Sequence, residues 1–420
     1  MPPRTSKPFQ PRRVAVTGMG VVTALGTELG DFWRRILAGE SGVSEVPFAV
    51  ENDFPVKVGG LVPDEYVARG RERFALKEPD RWNQMGLSAV GYALEHAGLS
   101  CSGEDPLELD IVFGTGHGNT LAVTEGHAAY LKGGLRKIRP TMVLRSMFNR
   151  VANQASIRFG LTGASHVVSA ACATGSVALG DAFQRIRFGL SDGAIAASCD
   201  SGFDAPTFGA WNRLGVLSRI PEPERASRPF DSAREGLVMG EGAAALVLES
   251  FEAAERRGAP ILAEISGYGC RSDATHIVQP DAGGQVRAMQ VALESAGLAI
   301  DDIGYVNAHG TATEIADLVE AESLTSLFGE QVQRVRVSNT KAQLGHLMGA
   351  TAGVELVATI LALQAGTLPP CRNLDDPDPR CGLNFVAGEP EQVPVEHALK
   401  NSFAFGGTNS VVVVSRSGSA

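Results

Sequence analysis

VVSAACATGSVALG at residues 167–180 and RVSNTKAQLGHLMG at 336–349 share one layout: an apolar run, a turn, then a helix start built of small residues. Working outward, ALEHAGL (93–99) returns as ALESAGL (292–298). DIVFGTGHG (110–118) is echoed by DIGYVNAHG (302–310), so that His117 answers His309. The opening VAVTGMG (14–20) resembles AEISGYG (263–269). Four matches in nearly the same order predict a duplicated α/β half. Each half reads as apolar strands alternating with amphipathic helices, hence mostly parallel sheets with helices on their faces. The Ala- and Gly-rich stretches 169–188 and 348–365 carry little charge and read as helices buried on all sides. Two sheets around such a helical layer predict five layers, α-β-α-β-α. No linker-like tract separates the halves. The division expected is therefore a flexible leader over 1–12, an N-terminal half over 13–258 and a C-terminal half over 259–420, fused through one extensive interface.

Composition permits this. Hydrophobic residues make up 44% and charged residues 20% of 420, enough for a core and too apolar for wholesale disorder. The 49 glycines imply tight turns and close backbone approaches. Lys and Arg number 37 against 47 Asp and Glu, and a net charge of −10 argues against a nucleic-acid binder working through bulk positive charge. Six cysteines (Cys101, Cys172, Cys199, Cys270, Cys371, Cys381) form no C-x-x-C pair. That is neither a disulfide framework nor a zinc spacing, and it fits a reducing, cytoplasmic setting. No uncharged apolar run is long enough for a membrane span; the richest, MGATAGVELVATILALQAG, carries Glu355 in its middle. The basic-then-apolar N-terminus has the outline of a signal peptide, but glycine punctuates its apolar part, which reads as strand plus turn.

Four places could carry chemistry. Cys172 in SAACATGS follows an apolar strand and precedes a helix, where the macrodipole and free N–H groups favour a thiolate and could hold an oxyanion. The competing reading is a small core cysteine. His309 in VNAHGTAT ends a strand and could equally be structural, with Thr311 and Thr313 as turn residues. Lys341 and His346 share SNTKAQLGHLMGA; Lys341 reads as a surface charge or, in these apolar surroundings, as a partner of Glu355. The double glycine after Phe405 in NSFAFGGTNS suits an oxyanion-hole loop or an ordinary turn. One cysteine and two histidines at strand ends are what acyl transfer through a thioester needs. Two imidazoles donating through Nε2–H could stabilise the enolate left when a malonyl thioester loses CO2, with no metal or organic cofactor.

Taken together, these motifs resemble the β-ketoacyl-acyl-carrier-protein synthases, particularly the elongating type II fatty-acid enzymes and their bacterial polyketide relatives. The resemblance spans RVAVTGMG to GGTNSVVVV and rests on GTGHG, GLTGASHVVSAACATG, SRPFDSAREGLVMGEGAA, GYVNAHGTAT, SNTKAQLGHLMGATAGVE and NSFAFGGTNS. It implies the thiolase fold and a homodimer, with a heterodimer alongside a related subunit as the other arrangement. By position, it implies Cys172 as the acyl-accepting nucleophile, His309 and His346 as the pair assisting malonyl decarboxylation, and Lys341 with Glu355 as their support. It further implies an oxyanion hole from the N–H groups of Cys172 and Phe405, Phe405 as a gate, and Thr311 and Thr313 on the pantetheine arm. The implied reaction is ping-pong: an acyl chain passes from acyl carrier protein to Cys172, then malonyl-acyl carrier protein loses CO2 and extends it to a 3-oxoacyl chain.

The departures concern substrate choice. His117 stands where the elongating enzymes usually have an apolar acyl-pocket residue, which favours a short, unsaturated or aryl-bearing chain. Val278 stands for a common Thr, Glu314 for Pro, Ala404 for Gly and Leu237 for Phe. Because carrier proteins are acidic, an acidic chain needs a local basic docking patch. Lys132, Arg136, Lys137 and Arg139 are the expected patch, with Lys77, Arg81 and Arg213 as contributors. Among alternatives, a thiolase would need a second cysteine in the last glycine-rich loop, and an initiating synthase would replace one histidine with Asn. A non-elongating chain-length-determining subunit would usually lack Cys172. A dinucleotide site at 18–26 has poor spacing, and a metal site from Cys172, His309 and His346 lacks ligand spacing.

Overall fold

The structure, a computed structural model, describes residues 10–418. Most of the expected leader lies outside them, although Arg12 is already fixed, its N–H donating to the Arg187 carbonyl at 2.9 Å. Eleven strands form one sheet. Five belong to the first half: β1 (Val14–Val22), β2 (Asp110–Gly114), β3 (Ser165–Val168), β4 (Gly193–Asp200) and β5 (Gly242–Ser250). The second half contributes β6 (Ala263–Ser272), β7 (Ile303–Asn307), β8 (Arg336–Ser338), β9 (Asn384–Phe385), β10 (His397–Phe403) and β11 (Thr408–Arg416). Their order is β9-β8-β7-β10-β11-β6-β1-β5-β4-β2-β3. Read outward from the centre, β1-β5-β4-β2-β3 and β6-β11-β10-β7-β8 are the same path, so the duplication in the sequence is a duplication of topology. The expected pair of sheets is joined: β1 and β6 run antiparallel with Val14 opposite Ile265 and Val16 opposite Ala263.

The repeated motifs touch one another. Gly18 and Gly20 of β1 lie beneath α1 (Arg81–His96), where an added Cβ would collide with the carbonyls of Ala93 and Ala89. Gly267 and Gly269 of β6 stand in the same relation to Ala292 and Ala288 of α6 (Ala282–Ala296). VAVTGMG thus recurs with ALEHAGL because glycine lets the helix backbone approach the strand. The remaining helices used below are α2 (Thr120–Gly133), α3 (Arg150–Phe159), α4 (Thr174–Arg187), α5 (Ala205–Leu214), α7 (Glu314–Phe328), α8 (Lys341–Leu344) and α9 (Thr351–Ala365).

α4 and α9 form the central layer. Leu179 and Phe183 of α4 share one core with Val354, Ile360 and Leu363 of α9 and with Val16, Leu246 and Val412 from both halves of the sheet. α1 with α3, and α6 with α7, cover the outer faces. This is the expected five-layered fold, with two corrections. The sheet is mixed rather than mostly parallel: β2 pairs in parallel with β3 and β4, but β5 runs antiparallel to β4 and β1. The same holds for β11, which follows β10 through a tight hairpin and must therefore reverse. Helix α4 also surfaces along its last turns, where Gln184 is exposed, whereas α9 is buried almost throughout. Met348–Ala365 is apolar enough by composition to cross a membrane, yet 83% of it lies inside the fold, as a core helix does.

Candidate active site

The two central helices begin in matching ways. A 3-10 turn, Ala171–Ala173, precedes α4, and another, Met348–Ala350, precedes α9. Each opens on a left-handed residue, Ala171 at φ +45° and Met348 at φ +51°, a conformation costing a side-chain-bearing residue about 1–2 kcal/mol. In the first turn the bend is held by the Thr174 hydroxyl, which accepts from the Ala170 N–H at 2.8 Å and donates to the Ala171 carbonyl at 2.6 Å. Buried Asp200 at the end of β4 ties the regions together, accepting from the N–H groups of His117 (3.0 Å) and Gly349 (2.6 Å). Cys172 is thereby aimed off the bend into a narrow cleft of about 50 Å3, which it lines with His309, His346, Thr311, Thr313 and Phe405.

Although Cys172 reaches the cleft, its sulfur lies among buried groups. Desolvation pushes the thiol up to about 11, against the charge of Lys341 and the Phe405 N–H, which act in the opposite direction. The helix start expected to favour a thiolate is present, but burial outweighs the neighbouring charge and N–H groups.

His309 follows β7 on a loop suspended from α7. The His309 and Gly310 N–H groups donate to the two oxygens of Glu320 at 2.8 and 2.7 Å, and Thr311 N–H donates to Asp317 at 2.9 Å. Asn339 binds the carbonyls of Ala308, His309 and Gly310 from the other side. His346 lies in residues 339–347, which lengthen the second strand-to-helix turn relative to the first. Its Nδ1 accepts from the Met348 N–H at 3.0 Å, so the proton sits on Nε2. That Nε2 is buried and finds no partner among the described residues. The two rings stand 5.6 Å apart at 88°. Burial, followed by the charge of Lys341, holds both imidazoles well below the usual histidine range, so both stay neutral.

Beneath the rings, Lys341 Nζ donates to Glu355 Oε1 at 2.7 Å and to the His309 carbonyl. Glu355 is shared: Lys400 Nζ lies 2.8 Å from its other oxygen, in a pocket where all three side chains are at most 2% exposed. Phe405 caps the β10–β11 hairpin, whose Gly406 (φ +86°) and Gly407 (φ +75°) supply the left-handed residues of the turn.

Two sequence models, for the N-terminal and C-terminal domains of beta-ketoacyl synthase, match residues 11–254 and 262–375. The chain belongs to the beta-ketoacyl synthase family. It is 36% identical over 411 residues to the 3-oxoacyl-[acyl-carrier-protein] synthase 2 of Coxiella burnetii, covering 97% of this chain and 99% of that protein. It is equally 36% identical to the synthase of the same name from Vibrio cholerae, covering 96% and 99%. Among solved structures, a type II polyketide-synthase acyl carrier protein in complex with its ketosynthase superposes with a TM-score of 0.90 at 30% identity, covering 97% of this chain and 100% of that one. The ishigamide ketosynthase/chain length factor gives the same score, identity and coverage.

In this ketoacyl synthase, the fold brings Cys172, His309, His346, Thr311, Thr313 and Phe405 to one cleft, with Leu237 and Val278 also on its wall. Lys341 and Glu355 lie below it. His117 is set back behind Trp211, whose Nε1 donates to His117 Nε2 at 3.3 Å. Lys132, Arg136, Lys137 and Arg139 are exposed in and after α2. Arg81 is not a free contributor: Asp64 (2.5 Å) and Glu241 (2.6 Å) hold its guanidinium. Sequence reasoning missed Asp200, Lys400 and Trp211. A lysine in the apolar strand HALKNSF was a usable signal for Lys400, because a charge there needs a buried partner. Nothing local marked Trp211.

Proposed function

We propose that this chain, an acyltransferase of the β-ketoacyl synthase family, joins an acyl group on Cys172 to malonyl-acyl carrier protein by decarboxylative condensation. The Cys172 sulfur attacks the acyl thioester and the carrier thiol leaves. Malonyl-acyl carrier protein then loses CO2, the bond's electron pair becomes an enolate, and the enolate carbon attacks the Cys172 thioester. The cysteine sulfur departs, and the product is a 3-oxoacyl chain two carbons longer. No step calls for a metal or an organic cofactor.

The observation that carries this reading is the His346 Nε2–H, a buried donor with no partner among the described residues, in a cleft it shares with His309 and Cys172. Two neutral imidazoles can stabilise a developing enolate oxygen without reorganising. The Phe405 N–H beside the sulfur supports an oxyanion hole formed with the Cys172 N–H, and its nearness to the sulfur supports reading Phe405 as the gate. Lys341, Glu355 and Lys400 position the His309 loop. Thr311 and Thr313, whose hydroxyls meet at 2.9 Å, line the path for the pantetheine arm.

Acyl carrier protein is the partner we assign, docked on Lys132, Arg136, Lys137 and Arg139. A dimer is supported by the sheet edge at β3, which is largely exposed, and by Leu131, Leu135 and Val143, exposed by 70%, 79% and 68%. Six free thiols suit a reducing, cytoplasmic location. Incubation with acyl- and malonyl-carrier thioesters tests the reaction. Mass spectrometry is expected to find acyl-Cys172 and then the 3-oxoacyl product. His346→Ala is expected to keep acylation and lose condensation at least 100-fold (about 10²–10³ for one such donor). A chain-length-determining subunit would acquire no acyl group at Cys172.

A further inference from the structure

Three rings stand in a row at the cleft: Phe405 and Trp211 line it and His117 lies behind Trp211, and the condensation chemistry assigns no role to Trp211 or His117. Phe405 stacks on Trp211 with centroids 6.3 Å apart and planes at 17°. The far edge of Trp211 meets His117, ring to ring at 6.0 Å and 90°, with the indole N–H donating to Nε2. Two of the three are anchored. The His117 backbone hangs from Asp200. Trp211 rides on α5, which Asp204 caps at Thr207 N–H (3.2 Å) and which Phe208 pins between Phe48 and Phe54, at centroid distances of 5.6 and 6.1 Å. Phe405 instead sits on a hairpin tip, next to Gly406, around which there is open space.

We propose that Trp211 is a specificity-determining residue: a fixed aromatic platform covered by Phe405 at rest and by a flat, conjugated acyl chain once Phe405 swings away. This rests on the reading of Cys172 as acyl acceptor and Phe405 as gate. Removing Phe405 bares the indole face. A dienoyl or aryl chain on Cys172 restores a face-to-face π contact there, whereas a saturated chain restores contact area alone. Such stacking adds about two- to tenfold in selectivity beyond burial. The same arrangement explains the histidine at position 117. An apolar residue there would leave the half-buried indole N–H without this acceptor, and the platform would lose the bond that fixes its plane. His117 and Trp211 therefore act as one unit.

The test compares loading of Cys172 from 2,4-hexadienoyl- and hexanoyl-acyl carrier protein. The ratio of initial rates is divided by the ratio for thiolysis of the same thioesters by a small thiol. The wild-type quotient is expected above one, Trp211→Phe is expected to keep it, and Trp211→Leu is expected to lower it about two- to tenfold. Because both rates come from one preparation, a general loss of activity cancels. A wild-type quotient at or below one, or an unchanged quotient in Trp211→Leu, overturns the proposal; the first outcome decides even if the leucine variant fails to fold. Acetyl loading separates the two readings. If wild-type Cys172 takes no acetyl group from the carrier, the underlying function has failed, and if it does, only the platform is at stake.

Discussion

Cys172 sits between opposing influences. Desolvation lifts its thiol to about 11, while Lys341 and the Phe405 N–H pull the other way. Below the midpoint the thiolate fraction rises tenfold per pH unit, so about one thiol in 10⁴ is ionised at pH 7. Those few thiolates are strong nucleophiles, because nucleophilicity grows with basicity. Alkylation of Cys172 by iodoacetamide, followed peptide by peptide, is expected to accelerate tenfold per unit between pH 7 and 9 with no plateau below pH 10. Lys341→Met removes a charge that favours the thiolate and is expected to slow the reaction at each pH. A plateau reached by pH 8 would instead mean that the helix start outweighs burial.

At the scale of one element, α9 is a core helix carrying a carboxylate that two lysines share. Glu355→Gln leaves Lys341 and Lys400 buried without their common counter-charge, which costs about 3–5 kcal/mol. Lys400→Met is expected to cost much less, since Glu355 keeps Lys341 as a one-to-one partner and Met fills similar space. Urea midpoints of the two variants check this ordering; equal losses would show that Glu355 is not the hub. The pairing also shows what was legible. Lys341 and Glu355 lie fourteen residues apart across one turn and the first turns of a helix, and their pairing could be read from the sequence. Lys400 arrives from β10, on another strand of the sheet, and only closure of the fold brings it to the same carboxylate.

For the whole molecule, the exposed edge at β3 and the apolar side chains of 131–143 predict association. Light scattering of the wild type is expected to give twice 44.1 kDa. Leu131→Glu with Val143→Glu, which puts charge into that patch, is expected to give monomers, whereas a monomeric wild type would discard the patch as an interface. The same segment interleaves Lys132, Arg136, Lys137 and Arg139 with Leu131 and Leu135, so the docking patch proposed above would lie beside this apolar patch.

The sequence by itself determined the duplication and most of the cleft. Glycine pairs, helix starts and strand ends are local signals, and each half repeats them in order, so Cys172, His309, His346 and Phe405 could be placed at turns before any packing was known. The tertiary structure alone decided which strands reverse, that β1 and β6 join the halves into one sheet, that Arg81 is spent on Asp64 and Glu241, and that Trp211 lies between Phe405 and His117. These depend on pairings between residues far apart in the chain. Such contacts leave no periodic trace, because each forms only when separate elements have already been packed against a common core.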